Sequence, residues 1–142
     1  MRIRALNHCT YQHQYHLVWG TKFRYKWLKD YVKAELAASF RETCMGHPTV
    51  QIMALNTDED HVHLAIEIPP DVAVATVVQH LKADSSRRLK KRFPFIRRMY
   101  MTDGIWAVGY FSSTLGLNED QIKKYIEHQG KAELPRNLKL GF

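Results

Sequence analysis

The fold is decided by one stretch: Val50-Gln51-Ile52-Met53-Ala54-Leu55-Asn56-Thr57-Asp58-Glu59-Asp60-His61-Val62-His63-Leu64-Ala65-Ile66-Glu67-Ile68-Pro69-Pro70. Two apolar runs, Val50–Leu55 and His61–Ile68, flank the polar segment Asn56–Asp60, which predicts a β-hairpin. Pro69-Pro70 ends the second strand, because proline cannot continue a ladder. Side chains alternate across a strand. His61 and His63 therefore share one face, while Val62 and Leu64 turn to the other. Two imidazoles fixed side by side on a strand are half of a metal site or a paired acid/base device. As isolated residues, they read first as two histidines satisfied on a solvated sheet face.

Working outward, residues 11–19 alternate as a strand and lead into a basic, aromatic loop, 20–27, with Lys22, Arg24 and Lys26. Leu28 to Met45 has helical spacing, and Gly46-His47-Pro48 stops it. A long helix is expected over Val74–Arg92, apolar early and basic late. Gly104 to Leu115 reads as a fourth strand with Trp106, Val108 and Tyr110 on one face. Asn118 caps a last helix, with Gln121 three residues on, and Gly130 and Pro135 bound its far end. The order β-α-β-β-α-β-α predicts an α+β fold. A ferredoxin-like or RRM-like antiparallel sheet with helices on one face fits it.

The chain has 142 residues, the size of one domain. Its net charge of +7 suits a polyanionic partner, nucleic acid before an anionic membrane. No apolar stretch approaches the ~20 residues of a membrane span. Cys9 and Cys44 form no CxxC motif, and no secretory signal opens the chain, so both are expected as reduced thiols in the cytoplasm. In the last helix, Tyr125 and Gln129 stand four residues apart and so share a face. A tyrosine hydroxyl can attack a phosphodiester. Gln129 can add an amide oxygen to an ion held by His61 and His63, leaving positions open for a phosphate oxygen. Taken alone, Tyr125 reads first as a partly buried helix residue beside Ile122 and Ile126.

Three segments, Asp60-His61-Val62-His63-Leu64, Gly116-Leu117-Asn118-Glu119 and Ile122-Lys123-Lys124-Tyr125-Ile126 with Gln129, closely resemble the single-tyrosine HUH transposases of the smallest insertion sequences. His16-Leu17-Val18-Trp19 with Lys22 and Arg24 is similar to that family's first strand and basic loop. The resemblance spans about residues 11–130, leaving a short C-terminal tail and one HUH domain over 1–142. It implies the HUH nuclease fold. It also implies a transposase that cuts single-stranded DNA at element ends through a 5′-phosphotyrosine at Tyr125, then rejoins the strands. His61, His63 and Gln129 would bind Mg²⁺ or Mn²⁺. Subterminal hairpins would be the substrate and a homodimer the working unit, with no nucleotide cofactor and no membrane. Lys22, Arg24, Lys82, Arg87 and Arg88 are the candidate DNA contacts, with rings of the 15–27 region as stacking platforms. A domesticated HUH endonuclease or replication initiator is the nearest alternative, and a catalytically silent RRM-like binding module a more distant one. Glu67 departs from the family pattern, adding a negative charge on the histidine face.

Overall fold

The computed structural model describes residues 4–6, 9–11, 13–114, 120 and 124–127. Strands β1 (Arg4–Leu6) and β2 (Cys9–Tyr11) form a small antiparallel hairpin. The central sheet contains β3 (Gln14–Gly20), β4 (Gln51–Asp58), β5 (His61–Glu67) and β6 (Phe111–Ser113). Its order is β4-β5-β3-β6, and every pair is antiparallel. Helices α1 (Asp30–Met45), α2 (Val74–Arg92) and α3 (Pro94–Met99) complete the α+β architecture.

The period-two pattern of the strands divides the sheet into two faces. Leu17, Trp19, Val62, Leu64 and Ile66 point one way and pack with Val32, Leu36 and Phe40 of α1 and Val77, Val78, Leu81 and Leu89 of α2. Apolar residues recur every three or four positions on both helices, so each lays one stripe on the sheet. Between the helices, Arg88 bonds Glu35 and Glu42, and Thr43 donates to Asp84 at 2.8 Å. Val18 points the other way, packing with Ile126, Phe111 and Tyr125. The expected single layer of helices therefore describes α1 and α2, whereas helical residues 124–127 lie across the opposite face.

Several expectations change in detail. The Asn56–Asp60 turn contracts to Glu59-Asp60, because β4 runs on to Asp58. An irregularity between Ile52 and Ala54 bulges β4 at Met53, a common device on an edge strand. The fourth strand shrinks to Phe111–Ser113. Before it, the chain makes one bridge, Thr21 to Trp106, and then departs from the ladder. Gly109 adopts φ 88° there, a conformation an extended strand does not contain. Trp106 is consequently buried while Val108 is exposed, so they do not share a face. Asn118 and Gln121, the expected cap of the last helix, lie outside the described residues.

The aromatic loop is largely core. Trp19 and Trp27 are fully buried, and their rings pack around Trp106. The Trp27 indole donates to the Tyr100 hydroxyl at 2.8 Å, and that hydroxyl donates to the Lys22 carbonyl at 2.7 Å. These two tryptophans cannot serve as stacking platforms for bases, although Tyr25 is exposed.

Candidate metal centre and tyrosine

His61 and His63 lie on one face of β5, their ring centroids 4.7 Å apart. The two-residue turn places Asp58 directly across from His61 in the β4–β5 register. The Asp58 carboxylate lies 2.8 Å from His61 Nε2 and 3.7 Å from His63 Nε2. Donor atoms of Asp58, His61 and His63 thus converge within 4.8 Å of one another, a donor set of two imidazole nitrogens and one carboxylate oxygen. Divalent ions that activate phosphates accept such mixed ligands.

The surroundings of His63 favour ligation. Burial holds the His63 pKa below its ordinary value, with the neighbouring His61 charge acting the same way and Asp58 opposing both. A neutral ring keeps the lone pair a metal needs. Asp60 is nearly buried, and its carboxyl is lowered to about 2. Its hydrogen bond with His61 is the main cause, and Arg24 adds to it against the cost of burial.

Tyr125 approaches the same face from above. Its ring packs on Phe111 at 6.0 Å between centroids, and Ile126 beside it is buried against Val18. Val18 is the register partner of both His63 and Phe111. Cross-strand partners project from one face of a sheet. The tyrosine and the histidines are therefore on the same side. The Tyr125 hydroxyl reaches Gly109 closely enough that an added Cβ there would meet it at 3.4 Å. Nearby, Ala107 N–H donates to the Gly20 carbonyl at 2.9 Å, and Gly20 is paired with His61.

Gln129 falls outside the described residues. Of the expected DNA contacts, Lys22 stands over the Phe23 ring, 5.7 Å from its centroid. Arg24 binds Asp60 through two nitrogens, at 2.8 and 3.1 Å. Lys82 donates to the carbonyls of Ala107 and Gly109 at 2.8 and 2.6 Å, holding the loop on which Tyr125 rests. Arg87 pairs with Asp84 and is well exposed. Arg88 is engaged by Glu35 and Glu42. Glu67 lies at the far end of β5 from His61, buried, and accepts from Gln14 at 3.3 Å.

Sequence reasoning missed Asp58 and Asp60, which it left in a generic polar turn. The available signal was the Asp-x-Asp-His spacing. With a turn of two residues, that spacing sets one carboxylate opposite His61 and the other beside it.

A four-stranded antiparallel sheet carrying an HxH pair on one face, with a helical tyrosine over it, defines an HUH-type nuclease fold. Comparison with known proteins agrees. The profile described as Transposase IS200 like matches residues 9–129, and the chain belongs to that family. It is 29% identical over 126 residues to the transposase for insertion sequence element IS200 of Salmonella typhimurium, covering 89% of this chain and 82% of that protein. It is 31% identical over 124 residues to the ISDra2 transposase TnpA of Deinococcus radiodurans, covering 87% and 88%. A crystal structure from Deinococcus radiodurans R1, assigned as a transposase, superposes with a TM-score of 0.80 at 29% identity, covering 89% and 97%. A REP-associated tyrosine transposase bound to a REP hairpin shares the fold, with a TM-score of 0.57 at 12% identity over 85% and 64% of the two chains.

Proposed function

We propose that this protein is a metal-dependent transposase that cuts and rejoins single-stranded DNA through Tyr125. The observation that carries the reading is the His61–His63–Asp58 cluster on the sheet face that the Tyr125 helix covers. In the forward step the Tyr125 oxygen forms a bond to phosphorus as the bond from phosphorus to the 3′ oxygen breaks. The phenolic proton is lost and the leaving oxygen gains one, so the products are a 5′-phosphotyrosine and a free 3′-OH. The reverse step joins a 3′-OH to the stored phosphate, so no nucleotide cofactor is required. His61, His63 and Asp58 supply donors suited to Mg²⁺ or Mn²⁺, and Gln129, expected from the sequence as the oxygen ligand beside the two histidines, would add to them. Such an ion supplies Lewis-acid polarisation of the phosphate under attack. Phe111 and Ile126 hold the tyrosine helix on the sheet. Lys82 fixes the 107–109 loop beneath the hydroxyl.

DNA hairpins are the proposed substrate, in keeping with the ligand of the REP-hairpin complex that shares this fold. Among the proposed DNA contacts Arg87 is well exposed, while Lys22 is half-buried over the Phe23 ring. Arg24 is closed on Asp60, and at Lys82, Arg87 and Arg88 a phosphate would compete with carbonyls or carboxylates already in place. One nucleophilic tyrosine per chain and two ends to join make a homodimer the economical unit. The test is cleavage of labelled single-stranded hairpins from the flanks of the gene, with Mg²⁺, by wild type and Tyr125→Phe. A covalent protein–DNA adduct that disappears in the variant and on chelation is expected. Tight hairpin binding by a wild type that forms no adduct on any flank would favour a silent binding module instead.

A further inference from the structure

The segment that joins β3 to α1 is strained where it meets the β4–β5 turn. Phe23 (φ 59°) and Arg24 (φ 55°) are consecutive non-glycine residues in the left-handed region, which L-residues avoid. Such strain persists only where the surroundings over-determine it. Here they do. Thr21 Oγ1 donates to the Tyr25 carbonyl at 2.8 Å, Arg24 N–H to the Thr21 carbonyl at 3.0 Å, and Lys22 N–H to the Ile105 carbonyl at 2.8 Å.

The strained turn grips the hairpin that carries the metal ligands. Thr21 N–H donates to the Asp60 carbonyl at 2.8 Å, and Leu28 N–H to the Glu59 carbonyl at 3.0 Å. Arg24 places Nε and Nη2 on a single oxygen of Asp60, Oδ2. The other oxygen, Oδ1, faces His61 Nδ1 at 2.8 Å. His61 Nε2 is thereby left pointing at Asp58, 2.8 Å away. The Asp60 side chain is 11% exposed, so few other partners compete for it.

We propose that Arg24 and Asp60 are positioning residues for the metal centre: Arg24 locks the Asp60 carboxylate, which locks the His61 ring with Nε2 directed into the ligand cluster. The inference rests on the metal reading above and assigns Arg24 a task other than holding DNA. A carboxylate on the far nitrogen of a ligating histidine fixes its orientation and raises its basicity. An arginine kept for phosphate would present its fork to solvent, whereas this fork is already closed on a carboxylate.

The test is Mn²⁺ binding by the full chain, followed by electron paramagnetic resonance, for wild type, Asp60→Asn, Arg24→Gln, the double variant and His61→Ala. Asp60→Asn is expected to weaken binding by about 10–100-fold and Arg24→Gln by about tenfold, the range for groups that support metal ligands. Because Arg24 acts through Asp60, its substitution should add nothing on the Asp60→Asn background. Additive losses would overturn the relay. Thermal melts on the same samples verify folding. Should Asp60→Asn not fold, Arg24→Lys carries the test: it keeps the charge without the fork and is expected between wild type and Arg24→Gln. Affinity for a labelled DNA hairpin in EDTA should be unchanged by Arg24→Gln. Lost hairpin affinity with wild-type Mn²⁺ affinity would overturn the relay and make Arg24 a DNA contact. Normal Mn²⁺ binding by both single variants, with loss in His61→Ala, would overturn the relay alone. A wild type that binds no Mn²⁺ would overturn the metal reading and the relay together.

Discussion

The two faces of strand β5 differ in almost every physical respect, although their residues alternate along seven positions of chain. Val62, Leu64 and Ile66 are essentially inaccessible and hold α1 and α2 to the sheet. His61 and His63 are partly exposed and meet carboxylates from the adjoining strand and turn. A strand's period of two lets one segment carry a core and the proposed metal centre without either compromising the other. It also fixes the register tightly, since a slip of one residue would bury both histidines and expose three aliphatic side chains.

Substitutions on the two faces should therefore separate activity from stability. The largest effect is expected from His61→Ala combined with His63→Ala. Cleavage should fall by at least ~10³-fold, the several kcal/mol that a catalytic ion supplies, while the urea midpoint stays near wild type. A collapse of that midpoint would mean that the histidine face is structural after all.

Leu64→Ala should do the converse. A cavity under α1 and α2 costs about 2–5 kcal/mol, read as a lower denaturation midpoint, and Mn²⁺ affinity of the folded fraction should persist. Trp27→Phe removes the donor to Tyr100 inside the same core. Its expected cost is about 1–3 kcal/mol by denaturant titration, smaller because most of the ring's packing remains.

The smallest effect is in acid. Asp60 in the folded protein titrates at about 2, below the ~3.9 of an unfolded aspartate. Its stabilising contribution is thus complete above about pH 4 and is lost as pH falls toward 2. The stability gap between wild type and Asp60→Asn should narrow over that window in urea titrations. A gap that stays constant from pH 5 to pH 2 would show that the carboxylate is not held by His61 and Arg24 as described.

The same contrast explains what could be read from sequence. The helix-facing side was legible because burial writes itself as hydrophobic spacing: α2 runs over Val74–Arg92 as its pattern implied, and Val62, Leu64 and Ile66 announce their face. His61 and His63 were legible because alternation alone places them together. Asp58 and Asp60 were not, since acidic residues before a strand usually mean a solvated turn, and their roles depend on a turn two residues long rather than five. The Gly104–Tyr110 segment misled because apolar residues at alternate positions resemble a strand. There, Gly109 and the Lys82 bonds to two carbonyls take the chain out of the ladder. Strands β1 and β2 and helix α3 span three to six residues each, too short for a period to declare itself. The cations of the basic loop and α2 were visible as charge. Their partners, Asp60 for Arg24 and Glu35 and Glu42 for Arg88, are long-range contacts that no local pattern encodes.

The central claim is that Tyr125, on the histidine side of the sheet, is the nucleophile. Its most direct test is to trap the covalent complex on a single-stranded hairpin in Mg²⁺, digest it, and map the DNA-linked peptide by mass spectrometry. The account predicts a 5′-phosphate linked to Tyr125 and to no other residue. A linkage at Tyr110, Tyr15 or any residue other than Tyr125 would contradict it.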